Sequence, residues 1–443
     1  MTRSACFVLL ALLALASRAD GAVFSCDEPG VLAAIAAGGG PHTFSCGGPT
    51  TIVTSAELVI SQSVELDGGG LLTLSGGHAH RVIRLPFSST VAASLRNLVI
   101  RDGRSFVSFL EPGGCIRTSA RLTLDHVEIH GCEGGSGGAI EIENAAVTVI
   151  DSTLHGNRGG GAIYQYPDTA SANILTITRS RIVDNLNEGL ILSGWSAITD
   201  STIAGNVATG IAVGGNFTGY AVISRSTISH NGGFGGLVVS SGFADVDDCT
   251  FVGNLPVAIR DRRFVTPPSD INNVVVRNST IVGNAGTGAS TIVIDPRPPP
   301  APGQLGWFYV TVENSIVSGE GFTLSKGGNL FAGMANCFPL EPTDHCISEA
   351  ALNLGKLGPH GGPTWTVPLR APSAAIDAAP GCLSATDQRG VARPQGAACD
   401  AGAYEYDGPS PGQVPALPMP AAALLVAALA AAGALPFRAR RRA

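Results

Sequence analysis

A short repeat recurs along most of this 443-residue chain and constrains its fold more than any other feature. One copy covers residues 147–157 and is followed by a glycine-rich turn and a second apolar run at residues 160–164. Successive copies are separated by 21 to 36 residues, a variable period that is typical of a solenoid whose loops differ in length. The anchor residues on which the copies align are Asn97, His126, Ser152, Ser180, Ser201, Ser226, Cys249, Ser279 and Ser315.

Each copy has a consistent internal pattern. Apolar side chains stand three residues before and two residues after the anchor, as at Val149 and Leu154, and an asparagine often stands five residues after it, as at Asn157. Asparagine and glycine tolerate the left-handed backbone of tight bends. Three short strands per turn, separated by such bends, describe an all-β fold, the right-handed parallel β-helix, which we predict for residues 51–335. The anchors are expected to form an internal stack.

The residue just before the anchor alternates in charge between successive copies. In a parallel β-helix, equivalent residues stack about 4.8 Å apart, so opposite charges at this position form a ladder on the outside of a bend. We interpret the ladder as a device that fixes strand register, and its aspartates as poor catalytic candidates. The residues at this position are Asp151, Arg179, Asp200, Arg225, Asp248, Asn278 and Asn314.

The N-terminus has the pattern of a signal peptide over residues 1–21. Arg3 supplies a positive charge, residues 7–16 are apolar, and small residues precede Ala22, which is the layout of a secretory cleavage site. Residues 22–50 are then expected to cap the first coil. The acidic start at Asp27, the early Pro29 and the apolar residues that follow predict a short helix there.

Export permits disulfide bonds, and ten cysteines are present. Cys6 leaves with the signal peptide, so an odd number remains. Cys249 stands at an anchor position, where we expect a buried free thiol in place of serine. Proximity in the sequence suggests four pairs among the others, although spacing alone does not fix connectivity. The suggested pairs are Cys26–Cys46, Cys115–Cys132, Cys337–Cys346 and Cys382–Cys399.

Several motifs within the repeat resemble known families. Residues 137–140 and 160–163 read Gly-Gly-Ala-Ile, and residues 250–254 read Thr-Phe-Val-Gly-Asn. These motifs resemble the repeats of polymorphic outer-membrane proteins and related bacterial surface β-helices, and the overall pattern is similar to the pectin-lyase-like superfamily. The resemblance implies a fold and fixes no particular activity.

The repeat stops near residue 336, and a different module follows at residues 336–407. Residues 361–365, 373–377, 387–394 and 399–406 carry Gly-Gly-Pro-Thr-Trp, Ser-Ala-Ala-Ile-Asp, Asp-Gln-Arg-Gly-Val-Ala-Arg-Pro and Cys-Asp-Ala-Gly-Ala-Tyr-Glu-Tyr. Together they closely resemble the choice-of-anchor Q domain of bacterial surface proteins. The resemblance implies a module between a β-helix and a C-terminal anchor. We expect a coil-rich cap held by two internal ion pairs, Asp387–Arg389 and Asp400–Arg393.

The C-terminal residues have the composition of a membrane anchor or sorting signal. Residues 408–420 form a Pro- and Gly-containing linker, and residues 421–443 combine an apolar run with four arginines near the end. This spacer, apolar helix and basic tail resemble bacterial C-terminal protein-sorting signals, and the arginines favour a cytoplasmic end. We therefore expect an exported bacterial protein at the cell surface or outer envelope, anchored by its C-terminal helix. Permanent anchoring in the membrane and cleavage of the tail are both compatible with this pattern.

Composition narrows the choice of partners. A net charge of −7 and a pI near 5.7 argue against nucleic-acid binding. We find no catalytic constellation, no metal site of zinc spacing and no need for a cofactor, and we expect a monomer.

Aromatic residues and two arginines lie beyond the Asn-Gly turns, where a row of rings would stack on sugars. These candidate ligand-binding residues are Tyr164, Tyr166, Trp195, Phe217, Phe243, Arg260, Arg262 and Phe264.

Two functions remain open at this point. The first is a non-catalytic surface β-helix that is structural or adhesive and binds extracellular polysaccharide. The alternative is a divergent polysaccharide lyase or glycoside hydrolase of the pectin-lyase-like superfamily. The second function requires carboxylates and a base that converge on one face, whereas the first requires none.

Overall fold

The structure is a computed structural model, and the ranges it describes are 21–105, 113–166, 174–214, 219–262, 273–284, 291–294, 309–321, 324–334, 337 and 341–408. The predicted signal peptide (except Gly21), most of the predicted linker, the predicted C-terminal anchor, Phe217 and Phe264 lie outside these ranges. No helix within them is long and apolar enough to cross a membrane.

Parallel strands on three faces build the molecule, which is one compact unit as far as Tyr406. Three long strands run across the bend between face A and face B: β5 (Val64–Ser75), β7 (Ala92–Arg101) and β10 (Arg121–His130). The other strands of face A are β1 (Val23–Phe24), β2 (Gly39–Phe44), β13 (Ala146–Ile150), β16 (Ile174–Thr178), β19 (Trp195–Thr199), β22 (Gly219–Ser224), β25 (Gly242–Asp247), β28 (Asn273–Arg277), β31 (Tyr309–Glu313) and β33 (Leu324–Ser325).

Face B follows face A in each coil, and face C follows face B. Face B also contains β3 (Thr50–Val53), β14 (Thr153–His155), β17 (Arg181–Val183), β20 (Thr202–Ala204), β23 (Thr227–Ser229), β26 (Thr250–Val252), β29 (Thr280–Val282), β32 (Ile316–Ser318), β34 (Leu330–Ala332) and β35 (His345–Ile347). Face C contains β4 (Leu58–Val59), β6 (Ile83–Leu85), β9 (Ile116–Thr118), β12 (Gly137–Glu143), β15 (Gly161–Tyr166), β18 (Glu188–Leu192), β21 (Ile211–Val213), β24 (Leu237–Val239), β27 (Ile259–Asp261) and β30 (Ile292–Ile294). A two-stranded pairing joins β8 (Arg104–Ser105) to β11 (Glu133–Gly134).

Each strand pairs in parallel with the equivalent strand of the next coil. Val147 of β13 lies opposite Leu175 of β16, and Leu154 of β14 lies opposite Ile182 of β17. The predicted parallel β-helix is therefore confirmed. Pairing extends beyond the predicted limits, since β1 pairs with β2 near the N-terminus and β35 pairs with β34 after residue 335.

The interior contains the columns that the repeat predicts. Val149, Ser152 and Leu154 are all buried, and so are the equivalent residues of later coils. The first two anchors are one residue out of alignment, however. Strand register places Asp125 opposite Ile150 and Glu128 opposite Thr153, so His126 stands where Asp151 stands in the next coil. An apolar residue takes the serine position in these early coils.

The residue before each anchor makes the bend between faces A and B. Its φ lies between 46° and 52° in all seven coils from Asp151 to Asn314, which is left-handed backbone that Asp and Asn adopt more readily than most residues. Two rungs of the predicted charge ladder are present. Arg179 contacts Asp151 at 2.7 Å, and Arg225 contacts Asp200 at 2.8 Å.

The asparagine column has a different role from the one that the sequence suggested. The residue in left-handed conformation is the one before each asparagine, such as Gly156 (φ 62°) or Gly205 (φ 66°). The asparagines instead point inward and are buried. All but the last donate through Nδ2 to the Oδ1 atom of the next, as in the 2.9 Å bond from Asn206 to Asn231. The column therefore forms an internal amide ladder. Its side chains also pair with backbone groups that the turn would otherwise leave without a hydrogen bond. Its members are Asn157, Asn185, Asn206, Asn231, Asn254 and Asn284.

Helix α1 (Glu28–Ala37) occupies the segment where the sequence predicts a helix. Asp27 caps it by accepting a hydrogen bond from the backbone N–H of Gly30 at 2.8 Å. Val31, Ala34 and Ile35 belong to the main hydrophobic core. All four suggested disulfides are formed, and Cys249 is a buried free thiol, as predicted.

Residues 348–406, here called the C-terminal segment, include a short helix, α2 (Glu349–Leu352), and otherwise consist of turns and isolated bridges. The segment packs against the side of the solenoid, on face B of the late coils, and not as a cap on its end. Outward residues of β29 and β34, such as Val282 and Leu330, form a second core with Leu352, Leu369 and Tyr404.

A buried polar network ties this segment to the solenoid. Arg393 donates to Glu405 Oε2 at 2.9 Å and lies 3.4 Å from Asp248 Oδ1. The predicted Asp387–Arg389 pair is present at 2.8 Å. The predicted Asp400–Arg393 pair is not, because Arg393 contacts only the backbone carbonyl of Asp400. The late part of the charge ladder is likewise replaced, since Asp248 accepts from Ser384 of the C-terminal segment.

Candidate functional site

The predicted aromatic row is divided between two faces. Tyr164 and Tyr166 lie on β15 of face C, whereas Trp195 and Phe243 lie near the start of strands on face A. Counting residues from the anchor could not separate these positions, because the turns between anchor and aromatic differ in length. The two groups nevertheless flank one corner, where each coil passes from face C to face A.

Three rings form a regular row on face A, and the sequence prediction missed the middle one. Trp195 lies opposite Tyr220, and Tyr220 lies opposite Phe243, so one ring projects from each of three successive coils. We call these three residues the aromatic row. Trp195 is 43% exposed. The rings of Tyr220 and Phe243 lie 6.3 Å apart at 60°, and the Tyr220 hydroxyl donates to Asp245 at 2.6 Å.

Face C carries two carboxylates beside two tyrosines. Glu141 lies opposite Tyr164 of the next coil, and Glu143 lies opposite Tyr166. Ile140 and Ile142 of the same strand are in the core, so alternation directs both glutamates outward. We call Glu141, Glu143, Tyr164 and Tyr166 the Glu–Tyr patch. The tyrosine rings are 6.2 Å apart.

The two glutamates have different surroundings. Glu143 contacts Arg117 at 2.8 Å and accepts from Ser119 at 3.2 Å, and it is partly exposed. Glu141 is only 2% exposed, and its Oε2 atom has no hydrogen-bond partner among the described residues. Burial raises the pKa of the Glu141 carboxyl to about 7, against the lowering effect of the nearby Arg117. A buried carboxyl group with a raised pKa thus lies beside another that is ion-paired.

The sequence contained a pattern that could have identified this pair. Residues 137–143 read Gly-Gly-Ala-Ile-Glu-Ile-Glu, in which two acids alternate with core isoleucines. Acids at alternate strand positions share a face. Both acids directly follow the Gly-Gly-Ala-Ile motif, which is itself a marker of the fold.

The predicted arginines lie on and just after β27, at the other end of face C. Arg262 stands over the ring of Phe234 at 3.9 Å, and Arg260 lies 5.8 Å from the same ring centroid. These are cation–π contacts. Arg260 occupies the same outer column as Tyr164, several coils away, so the structure does not bring it to the Glu–Tyr patch.

One group of side chains has the donor set of a cation site. The ligand atoms of Asp125, His126 and Asp151 lie within 4.8 Å of one another. Asp125 contacts Arg96 at 3.2 Å, and Asp151 contacts Arg179. Because both carboxylates already pair with guanidinium groups, a cation would have to compete with arginine here. We assign this group no metal.

Comparison with known proteins gives the fold. A family model described as the right handed beta helix region matches residues 88–219 and 168–293. Among solved structures, pectate lyase Pel9A is similar at 13% identity and a TM-score of 0.46, covering 88% of this chain and 97% of that chain. No curated protein matches. The family match and the strand pairing agree that the repeated region is a right-handed β-helix.

Proposed function

We propose that the protein is an exported β-helix that stands at the cell surface and binds extracellular polysaccharide along the aromatic row. The observation that carries the proposal is the register of Trp195, Tyr220 and Phe243 on three successive coils. Equivalent residues repeat about every 4.8 Å along the axis. A chain of sugar rings lying along that axis meets one aromatic side chain per coil.

Features of the row itself support a glycan ligand. Trp195 is exposed although it is large and apolar, and exposed apolar patches often mark binding sites. Asp245, which accepts from the Tyr220 hydroxyl, adds a carboxylate that can accept bonds from sugar hydroxyls. Aromatic faces with polar groups at their edges suit a ligand that is apolar on its ring faces and polar around them.

The address at the cell surface rests on other features. Four disulfides, formed in the described part of the chain, suit an oxidising compartment. Residues 1–21 have the pattern of a signal peptide, and residues 421–443 that of an anchor or sorting signal. In this proposal the choice-of-anchor Q-like module lies between the β-helix and the C-terminal anchor in the sequence, and α1 covers the first coil of the β-helix.

Alanine substitution of the whole aromatic row tests the proposal. We expect the full-length protein to be slowed in native gels that contain a polysaccharide to which it binds. The Trp195→Ala/Tyr220→Ala/Phe243→Ala variant should bind the same polysaccharide at least about tenfold more weakly, which corresponds to about 1.4 kcal/mol of binding free energy. Trp365→Ala is the matched control, because Trp365 is a 52% exposed tryptophan that belongs to the C-terminal segment and not to the aromatic row. Equal weakening by the control, or none by the triple variant, would rule out this binding site.

The alternative function, glycan cleavage, is favoured by one observation. Glu141 and Glu143 are two neighbouring carboxyl groups in different environments, one buried and one ion-paired, and glycoside hydrolases also use two carboxyl groups whose environments differ.

A further inference from the structure

We propose that one corner of the solenoid, between faces B and C, contacts the surface of a membrane that contains anionic lipids. Four exposed apolar side chains on successive coils form this surface, here called the corner ridge: Leu186, Val207, Phe234 and Leu255. The inference goes beyond glycan binding. It rests on the proposed address at the cell surface, which places the chain beside a membrane.

The amide ladder aligns the corner ridge. Because each ladder asparagine points inward, the residue after it points outward at the bend. The backbone N–H of Leu186 donates to the carbonyl of Asn157 at 2.9 Å. Val207 and Leu255 make the same bond to the asparagine of the coil before, at 3.0 and 2.8 Å. These three residues therefore stand in one column along the axis.

Phe234 supplies the apolar side chain of the third coil. Gly232 occupies the column there, and its N–H donates to the carbonyl of Asn206 at 3.0 Å. Two residues later, the backbone N–H of Phe234 donates to Thr209 Oγ1 at 3.2 Å, which holds Phe234 beside the coil of Val207. Each of four coils thus exposes one apolar side chain at this corner, over about 14 Å along the axis.

The turn itself does not require apolar residues in this column. Arg158 occupies the same place in the coil before Leu186, where its backbone N–H donates to the carbonyl of Cys132 at 2.8 Å. The exposed fractions are nevertheless high, at 42% for Leu186, 64% for Val207, 42% for Phe234 and 54% for Leu255. Single exposed apolar residues are common, whereas a contiguous group of them marks a surface that another molecule covers.

The corner ridge is convex, because it stands on a bend between two faces. A protein partner would need a matching groove to cover it, whereas a lipid surface yields to a ridge. Protein segments in a membrane interface bury apolar side chains about 5–10 Å into the boundary between headgroups and acyl chains. Leucine, valine and phenylalanine suit that depth, so a membrane is the occupant that fits the shape and the chemistry.

Arginines stand at both ends of the corner ridge. Arg158 precedes Leu186 in the column, and Arg262 lies 3.9 Å over the ring of Phe234. An arginine buries its stem beside apolar groups while its charge stays in water, at the level of the headgroups. The exposed acidic Asp184 lies on the other, face B side of the bend. Positive charge beside an apolar surface favours membranes with anionic lipids.

The corner ridge shares no residue with the aromatic row. The row stands near the start of face A, so face C lies between it and this corner in every coil. Contact of the corner ridge with a membrane therefore leaves the row available to a glycan. Loss of either contact should leave the other unchanged.

Tryptophan fluorescence on vesicles tests the contact. The full-length Phe234→Trp variant is bound to vesicles of phosphatidylcholine and phosphatidylglycerol, with and without bromine on the acyl chains, and the fluorescence of the parent protein is subtracted. Bromine near an indole quenches its emission. Phe87→Trp is the matched control, because Phe87 is a 76% exposed phenylalanine outside the corner ridge. We expect at least about twofold more quenching at position 234 than at position 87, since interfacial side chains reach the acyl chains.

Charged substitutions on the corner ridge give the second arm. Val207→Glu/Leu255→Glu, made in the Phe234→Trp background, should remove the quenching, because burying an unpaired carboxylate is unfavourable. Val53→Glu is the matched control, since Val53 is a 61% exposed valine on β3. Vesicles of phosphatidylcholine alone should quench position 234 less. Thermal unfolding of each variant establishes that a lost contact is not a lost fold.

The outcomes separate this inference from the proposed function. Equal quenching at positions 234 and 87, or quenching that survives the two glutamates, overturns the membrane contact. A fluorescence change in Phe234→Trp that grows with protein concentration and needs no vesicles also overturns it, because a second copy then covers the ridge. Equal quenching with and without phosphatidylglycerol overturns the preference for anionic lipids. Glycan retention, measured on the same variants, should not change, and its absence in the parent protein overturns only the glycan site.

Discussion

Replacing Arg393 by methionine is expected to lower the free energy of unfolding by about 3–5 kcal/mol. The guanidinium is buried between Glu405 and Asp248, at 2.9 and 3.4 Å. Methionine fills much of the same space but leaves two buried carboxylates without their cation. The loss should detach the C-terminal segment from face B, because Asp248 belongs to the solenoid and Glu405 to the segment.

Urea unfolding, followed by circular dichroism, measures this loss, and limited proteolysis reports whether the C-terminal segment is released. Arg179→Met is the matched control. Arg179 also pairs with an aspartate, Asp151, but the pair is on the surface, where ion pairs contribute little. An unfolding midpoint for Arg393→Met that equals the control would contradict the role of the buried network.

Replacing Asn231 by alanine is expected to lower the free energy of unfolding by about 2–4 kcal/mol, since each buried polar group that loses its partner destabilises the fold by about 1–3 kcal/mol. The Oδ1 atom of Asn231 accepts from both the backbone and the side chain of Asn206, at 3.2 and 2.9 Å. Its Nδ2 atom donates to Asn254 and to the carbonyl of Ile203. Alanine breaks the amide ladder in its middle and leaves groups unpaired on both sides.

Val207→Ala is the control for this substitution, because Val207 follows Asn206 in the same row of turns but is 64% exposed. The decrease in the free energy of unfolding should be much smaller for Val207→Ala than for Asn231→Ala in the same urea measurement. A similar loss for both variants would mean that the ladder does not stabilise the coils beyond ordinary turn packing.

The repeat made the architecture predictable from the sequence. Alternating burial at Val149, Ser152 and Leu154 follows directly from the column pattern, and stacking explains why Cys249 could be identified as a buried thiol. The disulfides were also predictable, because each joins cysteines that are close in sequence, such as Cys115 and Cys132. These inferences depend on local pattern and on nothing farther along the chain.

Long-range packing accounts for most of what the sequence did not predict. The position of Asp248 in the charge ladder resembles that of Asp200, yet only Asp248 is covered by the C-terminal segment. Nothing in the repeat indicates which face that segment covers. The same limit explains the error at Arg393, because Asp400 was nearer in the sequence than its partner Glu405 and Asp248 was far away.

The predictions for the asparagine column and for the candidate site were incomplete for local reasons. Asparagine tolerates left-handed backbone, but Gly156 takes that conformation and leaves the Asn157 side chain free to join the interior ladder. Tyr220 was not predicted because the number of residues between the anchor and the aromatic residue differs between coils. Glu141 was overlooked because a buried acid on an outer face cannot be distinguished, by sequence alone, from an exposed one.

A crystal structure of the full-length protein with a bound oligosaccharide, drawn from the polysaccharide that the native protein retains, tests the central claim most directly. We predict sugar rings stacked over Trp195, Tyr220 and Phe243, with the chain parallel to the solenoid axis and one end directed toward Tyr166. An oligosaccharide bound on another face, with these three rings left exposed to solvent, would contradict the account.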